Sequence, residues 1–128
     1  MKLLLDTHIF LWFISGGNPK LSTSVLNAIR DPNNDVYLSV VSIWESIVKY
    51  QLGKLTLPPS PEIYLPQQRV RHQIASLSLD EDSVAQLIKL PLLHRDPFDR
   101  MLICQALHHR LTIATVDQKI RAYSINVI

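Results

Sequence analysis

Short apolar runs recur along this chain with a helix's length of sequence between them, and that spacing constrains the fold more than any other feature. Residues 2–5, 36–39, 74–79, 111–116 and 125–128 read as strands. Between the first two, Ile9 to Phe13 is too continuously apolar for a surface helix. Val25, Leu26 and Ile29 mark a helix capped by Ser22 or Ser24 and broken by Asp31-Pro32-Asn33-Asn34. Val40, Ile43, Trp44, Ile47, Val48 and Leu52 share the broad face of a helix over 40–52 that Gly53 closes. Pro61 and Pro66 predict a short or interrupted helix within 61–72. Asp80 caps a helix carrying Val84, Leu87 and Ile88. Asp96 caps another that starts at Pro97 and runs through Leu102, Ala106 and Leu107, and Asp117 opens a last short one. Strands alternating with helices require right-handed crossovers, hence an α/β fold with a mostly parallel five-stranded sheet covered on both faces. No linker, repeat or low-complexity tract divides it, so residues 1–128 are expected to form one domain.

At 47% hydrophobic over 128 residues, the chain can fill a core without disulfides. Its single cysteine, Cys104, lies in the apolar run Met101-Leu102-Ile103-Cys104 and reads as a small buried hydrophobe in a reducing compartment. The run Leu3-Leu4-Leu5 stops at Asp6 and no later one approaches the roughly 18 residues of a membrane span, which predicts a soluble cytoplasmic protein. Thirteen Lys plus Arg against 11 Asp plus Glu give a net charge of +2, too mild to coat nucleic acid nonspecifically.

Parallel sheets place ligands beyond the carboxyl ends of their strands, where strand order reverses. Two acids stand there. Asp6 ends the first strand and Asp117 ends the run 111–116, so central neighbours would carry both carboxylates on one rim. Each also precedes a helix, where aspartate is a favoured cap, and capping alone can account for either. Glu45 is flanked by apolar residues in Ile43-Trp44-Glu45-Ser46-Ile47, which invites burial or a partner; the alternative is an i,i+4 pair with Lys49. In His94-Arg95-Asp96-Pro97-Phe98-Asp99-Arg100, Asp96 with Pro97 after it is a ready cap. Asp99 sits at the third helical position and can point past the helix end. Four carboxylates on one rim would raise one another's pKa values unless a cation neutralised them, and oxygen-only ligands select Mg²⁺ or Mn²⁺. Such an ion activates water and stabilises charge on a phosphate, the chemistry of phosphodiester hydrolysis.

Other chemistries lack their motifs. None of His8, His72, His94, His108 and His109 has zinc-protease spacing, and one cysteine cannot build a structural zinc site. With three glycines there is no phosphate-binding P-loop, no dinucleotide fingerprint and no serine-hydrolase elbow.

The motifs Leu4-Leu5-Asp6-Thr7-His8 with Leu11-Trp12, Ser42-Ile43-Trp44-Glu45 with Lys49 and Gly53-Lys54-Leu55, His94 through Leu102, and Thr115-Val116-Asp117 together resemble the PIN-domain family, within it the VapC-like toxin ribonucleases of toxin–antitoxin pairs. The resemblance spans nearly the whole chain. It implies a three-layer α/β/α fold and a Mg²⁺- or Mn²⁺-dependent endoribonuclease in which Asp6, Glu45, Asp99 and Asp117 form the acidic quartet. Thr115 then orients the last acid, and Asp96 is a fifth carboxylate of open role.

An acidic pocket repels RNA, so basic groups must hold the phosphates; Lys49, Lys54, Arg95 and Arg100 lie nearest the motifs, although Arg95 and Arg100 read equally well as solvated charges. Trp12 and Trp44 can stack on bases, but their spacing with other apolar residues favours core packing. The partners expected are RNA, a small antitoxin protein and a second copy of the chain, with no membrane. A DNA or flap-structure nuclease of the same fold and a catalytically silent binding module are the rival readings.

Overall fold

The computed structural model describes all of residues 1–128. Its elements run β1 (Lys2–Leu5), α1 (Thr7–Ile14), α2 (Thr23–Arg30), β2 (Asp35–Ser39), α3 (Val40–Gln51), α4 (Pro61–Arg71), β3 (Ala75–Leu77), α5 (Glu81–Ala85), a 3-10 turn (Gln86–Lys89), α6 (Pro97–His109), β4 (Thr112–Ala114) and α7 (Gln118–Arg121). Four strands form one sheet in the order β3-β2-β1-β4, every pair parallel. Each strand pair is therefore joined by a helical crossover, as the spacing of the apolar runs requires.

β1 is central and buried on both faces, which is why its sequence is apolar without alternation. Leu3 and Leu5 join Ile9, Phe10, Val25, Ile29 and Leu65 in the core beneath α1, α2 and α4. Leu4 points the other way, to Val41, Leu102, Ile103, Ile113 and Ile120 beneath α6 and α7. The result is a helix layer on each side of the sheet. No helix is long and apolar enough to cross a membrane.

The expected fifth strand is not a strand. Residues 125–128 reach the sheet edge through a single bridge between Ile113 and Val127. The chain turns at Tyr123, whose carbonyl accepts from the Ile125 N–H; beyond it Asn126 and Ile128 exchange backbone hydrogen bonds with Ile113, and the Ile128 carbonyl accepts from the Thr115 N–H at 3.3 Å. β3 and β4 are also shorter than the apolar runs that contain them, because Leu79 and Leu111 leave the ladder to pack against the α6 side of the core. Conversely, α4 continues through Pro66. Proline removes one backbone donor, but Leu65 beside it is fully buried and anchors the turn.

Two devices set α3 and α6 against the sheet edge where the acids lie. Ser39 caps α3 by accepting from the Val41 N–H, and its hydroxyl donates to Oε1 of the buried Gln105 on α6 at 2.6 Å. Gln105 Nε2 in turn donates to the Ser78 carbonyl. At the other end of α3, Gly53 adopts a φ of 73°, the left-handed conformation that glycine takes without strain.

Candidate active site

Strand order reverses between β2 and β4 around β1, and the acids collect at the carboxyl ends of these strands. β1 and β4 pair Leu3 with Thr112, Leu4 with Ile113 and Leu5 with Ala114. The next step of that register sets Asp6 beside Thr115: the Asp6 N–H donates to the Ala114 carbonyl, and Thr115 Oγ1 donates to Asp6 Oδ2. Asp6 Oδ1 caps α1, accepting from the His8 N–H at 2.7 Å and, more weakly, from Ile9 at 3.4 Å. The carboxylate is thus both a cap and part of the rim. Burial raises its pKa despite the hydrogen bonds from Thr115 and His8.

Thr115 was expected to orient the last acid. Its hydroxyl instead orients the first one, and its tie to Asp117 is that it accepts the Asp117 backbone N–H at 3.0 Å. A hydroxyl has one proton, and the register gives it to Asp6. Asp117 Oδ1 caps α7 through the Lys119 N–H at 2.8 Å.

Glu45 is almost wholly buried, at 2% exposure. Oε1 accepts from Thr7 Oγ1 at 2.7 Å, and Thr7 also meets Ser42 Oγ at 2.9 Å. Oε2 pairs with Lys49 Nζ, so the i,i+4 pair and the buried carboxylate coexist. Burial works against the Lys49 ammonium, yet the Glu45 hydrogen bond and charge, with Asp96 and Asp99 nearby, outweigh it and raise its pKa. Lys49 is therefore committed to the acids as their internal counter-charge.

Asp96 caps α6, with Oδ1 accepting from the Phe98 and Asp99 N–H groups at 2.9 and 3.1 Å. Asp99 projects from the first turn of α6 toward the rim. Ligand oxygens of Glu45, Asp96 and Asp99 lie within 4.8 Å of one another, and those of Asp99 and Asp117 lie as close to His94. Burial first, then the charges of Asp96, Glu45 and Asp6, push the Asp99 carboxyl up to about 7 against the lowering effect of its His94 hydrogen bond. Asp99 is the hub that joins the Glu45 side of the rim to the Asp117 side.

The basic residues fare differently. Lys54 and Arg95 are exposed. Arg100 is engaged within the chain, its Nη1 meeting the carbonyls of Pro91 and His94 and the Tyr123 hydroxyl. Trp12 is half-buried against the α1 core, but Trp44 is not a core residue: it is 58% exposed and stacks edge-on against Phe98. The face of α3 that carries it turns outward because Glu45 and Ser46 take the inward positions.

Sequence reasoning missed four participants, among them His94, which it weighed only for zinc spacing. Thr7 follows the strand-ending acid directly, and Ser42 stands one helical turn before Glu45; those spacings were the available signal. Tyr123, whose hydroxyl organises residues 91–94, offered none.

A PIN-domain family model matches residues 3–126. Ribonuclease VapC16 of Mycobacterium tuberculosis is 33% identical over 72 residues, 53% of this chain and 51% of that protein; the match covers about half the length of this curated relative. Among solved structures, VapBC2 from Rickettsia felis bound to a promoter DNA fragment superposes with a TM-score of 0.73 at 14% identity, covering 100% of this chain and 98% of the other. A toxin–antitoxin complex from Klebsiella pneumoniae gives 0.58 at 21% identity, covering 98% and 95%. These likenesses extend to the fold.

Proposed function

The chain belongs to the PIN-domain family, and on that premise we propose that it is a divalent-metal-dependent endoribonuclease, the toxin of a toxin–antitoxin pair, with Asp6, Glu45, Asp99 and Asp117 as its metal-binding carboxylates. The observation that carries the reading is the crowding at Asp99. Ligand oxygens of Glu45, Asp96 and Asp99 converge within 4.8 Å of one another; burial first, and then the neighbouring acids, raise the Asp99 carboxyl to about 7, and a cation among them would favour the ionised form. The donor set fits such an ion. It is rich in carboxylate oxygens: Asp6 and Glu45 have both oxygens held by protein donors, and Asp99 and Asp117 one each, contacts that orient the ligands before a metal arrives. Oxygen donors suit Mg²⁺ or Mn²⁺. When bound, such an ion activates a water as nucleophile and offsets the charge that builds on the phosphate.

The chain's own groups supply the rest. Thr115 and the α1 amides hold Asp6, Thr7 holds Glu45, and the α7 amide holds Asp117, so the carboxylates need little reorganisation. Lys49 offsets part of their charge. The exposed Lys54 and Arg95 would hold RNA phosphates, and Asp96 supports the hub through the α6 cap. Relatives of the fold occur in toxin–antitoxin complexes. A small antitoxin protein would silence the centre with a basic side chain inserted among the acids, its helix lying along the apolar strip of Val40, Trp44 and Ile47. The exposed Leu52, Ile63 and Val70 support self-association as a homodimer.

Cleavage of RNA by the purified protein with Mg²⁺ or Mn²⁺, with chelator, and with Asp6→Asn and Asp99→Asn tests the reading. Expected is cleavage that needs the metal and both acids. Cleavage that survives chelator or both substitutions overturns the metal mechanism, and preferential cutting of DNA overturns the substrate class.

A further inference from the structure

We propose that His94 is a positioning residue of the acidic centre, its Nε2–H holding Asp99 in the orientation that receives the metal, with Asp117 alongside. The inference rests on the metal reading above and assigns a role that the carboxylates alone leave open.

His94 lies in the irregular segment between the 3-10 turn and α6, yet its backbone is tied at both ends. The Tyr123 hydroxyl accepts from the N–H groups of Leu93 and His94 at 3.1 and 2.9 Å and donates to the Pro91 carbonyl at 2.7 Å. Arg100 meets the His94 carbonyl at 3.2 Å. The ring is buried, with Nε2 2.8 Å from Asp99 Oδ2 and 3.7 Å from Asp117 Oδ2.

The other ring nitrogen decides the role. Nδ1 is buried and has no hydrogen-bond partner. A buried N–H without an acceptor is rare and unfavourable, so the proton of the neutral ring belongs on Nε2, where a carboxylate accepts it. The same fact argues against His94 as a ligand. Coordination through Nε2 would move the proton to Nδ1, where metal-binding histidines normally have an acceptor and this one has none. His94 is thus a donor to a ligand. Its hydrogen bond occupies Oδ2 of Asp99 and leaves Oδ1, which receives no protein donor, for the cation.

Calorimetric titration with Mn²⁺ reads the role without requiring cleavage. His94→Ala should weaken Mn²⁺ binding by about 10-fold or more, the usual consequence of losing an outer-shell partner. His94→Gln, whose amide N–H can reach Asp99, should restore most of it, while thermal unfolding confirms that both variants fold. In the wild type, long-range ¹H–¹⁵N NMR should show His94 as the Nε2–H tautomer, a measurement that stands even if the alanine variant does not fold. Equal Mn²⁺ affinity in wild type and alanine variant, equal loss in alanine and glutamine variants, or an Nδ1–H ring each overturns the proposal. Wild-type protein that binds no Mn²⁺ overturns it together with the metal reading. Wild-type protein that binds Mn²⁺ normally but cuts no RNA overturns the ribonuclease reading and leaves His94 in place.

Discussion

Two acid-and-histidine groups in this molecule bring potential ligand atoms within 4.8 Å of one another, and their chemistries are opposite. At the sheet rim, His94, Asp99 and Asp117 are backed by Glu45, Asp96 and Asp6, and Asp99 is pushed up to about 7. Where α5 meets the end of α6, Asp80 lies beside His108 and His109, 3.0 Å from His109 Nε2, and its pKa is lowered by hydrogen bonding from Ser83, helped by the nearby histidines. Both groups contain an aspartate that caps a helix. What separates them is surroundings. Asp80 is open to solvent and its charge is favoured by the Ser83 hydrogen bonds and the two histidines, whereas Asp99 is half-buried among like charges. A cluster calls for a cation when its members oppose one another's ionisation under burial, and proximity of ligand-type atoms does not by itself create that demand.

Substitution should break the comparison most sharply. Asp99→Asn is expected to lower RNA cleavage roughly 100-fold or more, since the ion's contribution to the transition state amounts to several kcal/mol. Its metal-free melting temperature should be equal to or above wild type because the like-charge conflict is relieved. Asp80→Asn should leave cleavage unchanged, because asparagine caps α5 as well. Gel assays and thermal melts read both, and a cleavage loss in Asp80→Asn as deep as that in Asp99→Asn would erase the distinction.

Ligand-linked stability sharpens it next. Mg²⁺ at 100 times its Kd should stabilise the wild type by about 2.7 kcal/mol. That gain should vanish in Asp99→Asn and persist in a His108→Ala/His109→Ala double variant. Equilibrium denaturation with and without Mg²⁺ measures it.

Without metal, pH should act with a definite sign. Asp99 holds its proton more tightly when folded, up to about 7, than the ordinary 3.8 of the unfolded chain. The native state therefore binds more protons across that window, and stability falls as pH rises through it. Asp6, also raised, has the same sign. His72, whose pKa is lowered by burial, contributes with the opposite sign, so the test is the difference between proteins: from pH 4 to 8 the melting temperature of the wild type should fall relative to that of Asp99→Asn, and a relative rise would contradict the assignment.

The smallest effect belongs to the exposed group. Asp80→Ala removes a helix cap and the contact with His109 and should lower the melting temperature only slightly, with no change in Mg²⁺ affinity.

β1, α2 and α6 were legible because each carries its own local signal: an unbroken apolar run for β1, a serine before α2, a proline after Asp96 at α6; α4 was not, because Pro66 reads locally as a break. The end of the chain was not. Residues 125–128 have strand-like composition, but a strand requires a full partner ladder, and the turn at Tyr123 leaves room for one bridge. Trp44 was placed inward because helical periodicity cannot distinguish a buried apolar face from an exposed one once a carboxylate claims the interior.

By itself, the sequence determined that aspartates stand where strands end and helices begin, since a cap is a local transaction between a side chain and the amides two or three residues on. It also implied that Asp6 and Asp117 would share one rim if their two strands were neighbours, a pairing that the tertiary structure supplied. Only the tertiary structure decided that Thr115 serves Asp6, that Glu45 is held by Thr7, and that Asp99 meets both Glu45 and Asp117 through neighbours distant in sequence. Those contacts depend on strand register and on the packing of α3 against α6. The burial that does most to raise Asp99, and the charges of Glu45 and Asp6 that add to that of nearby Asp96, arise only in the assembled fold, a condition that no local pattern encodes.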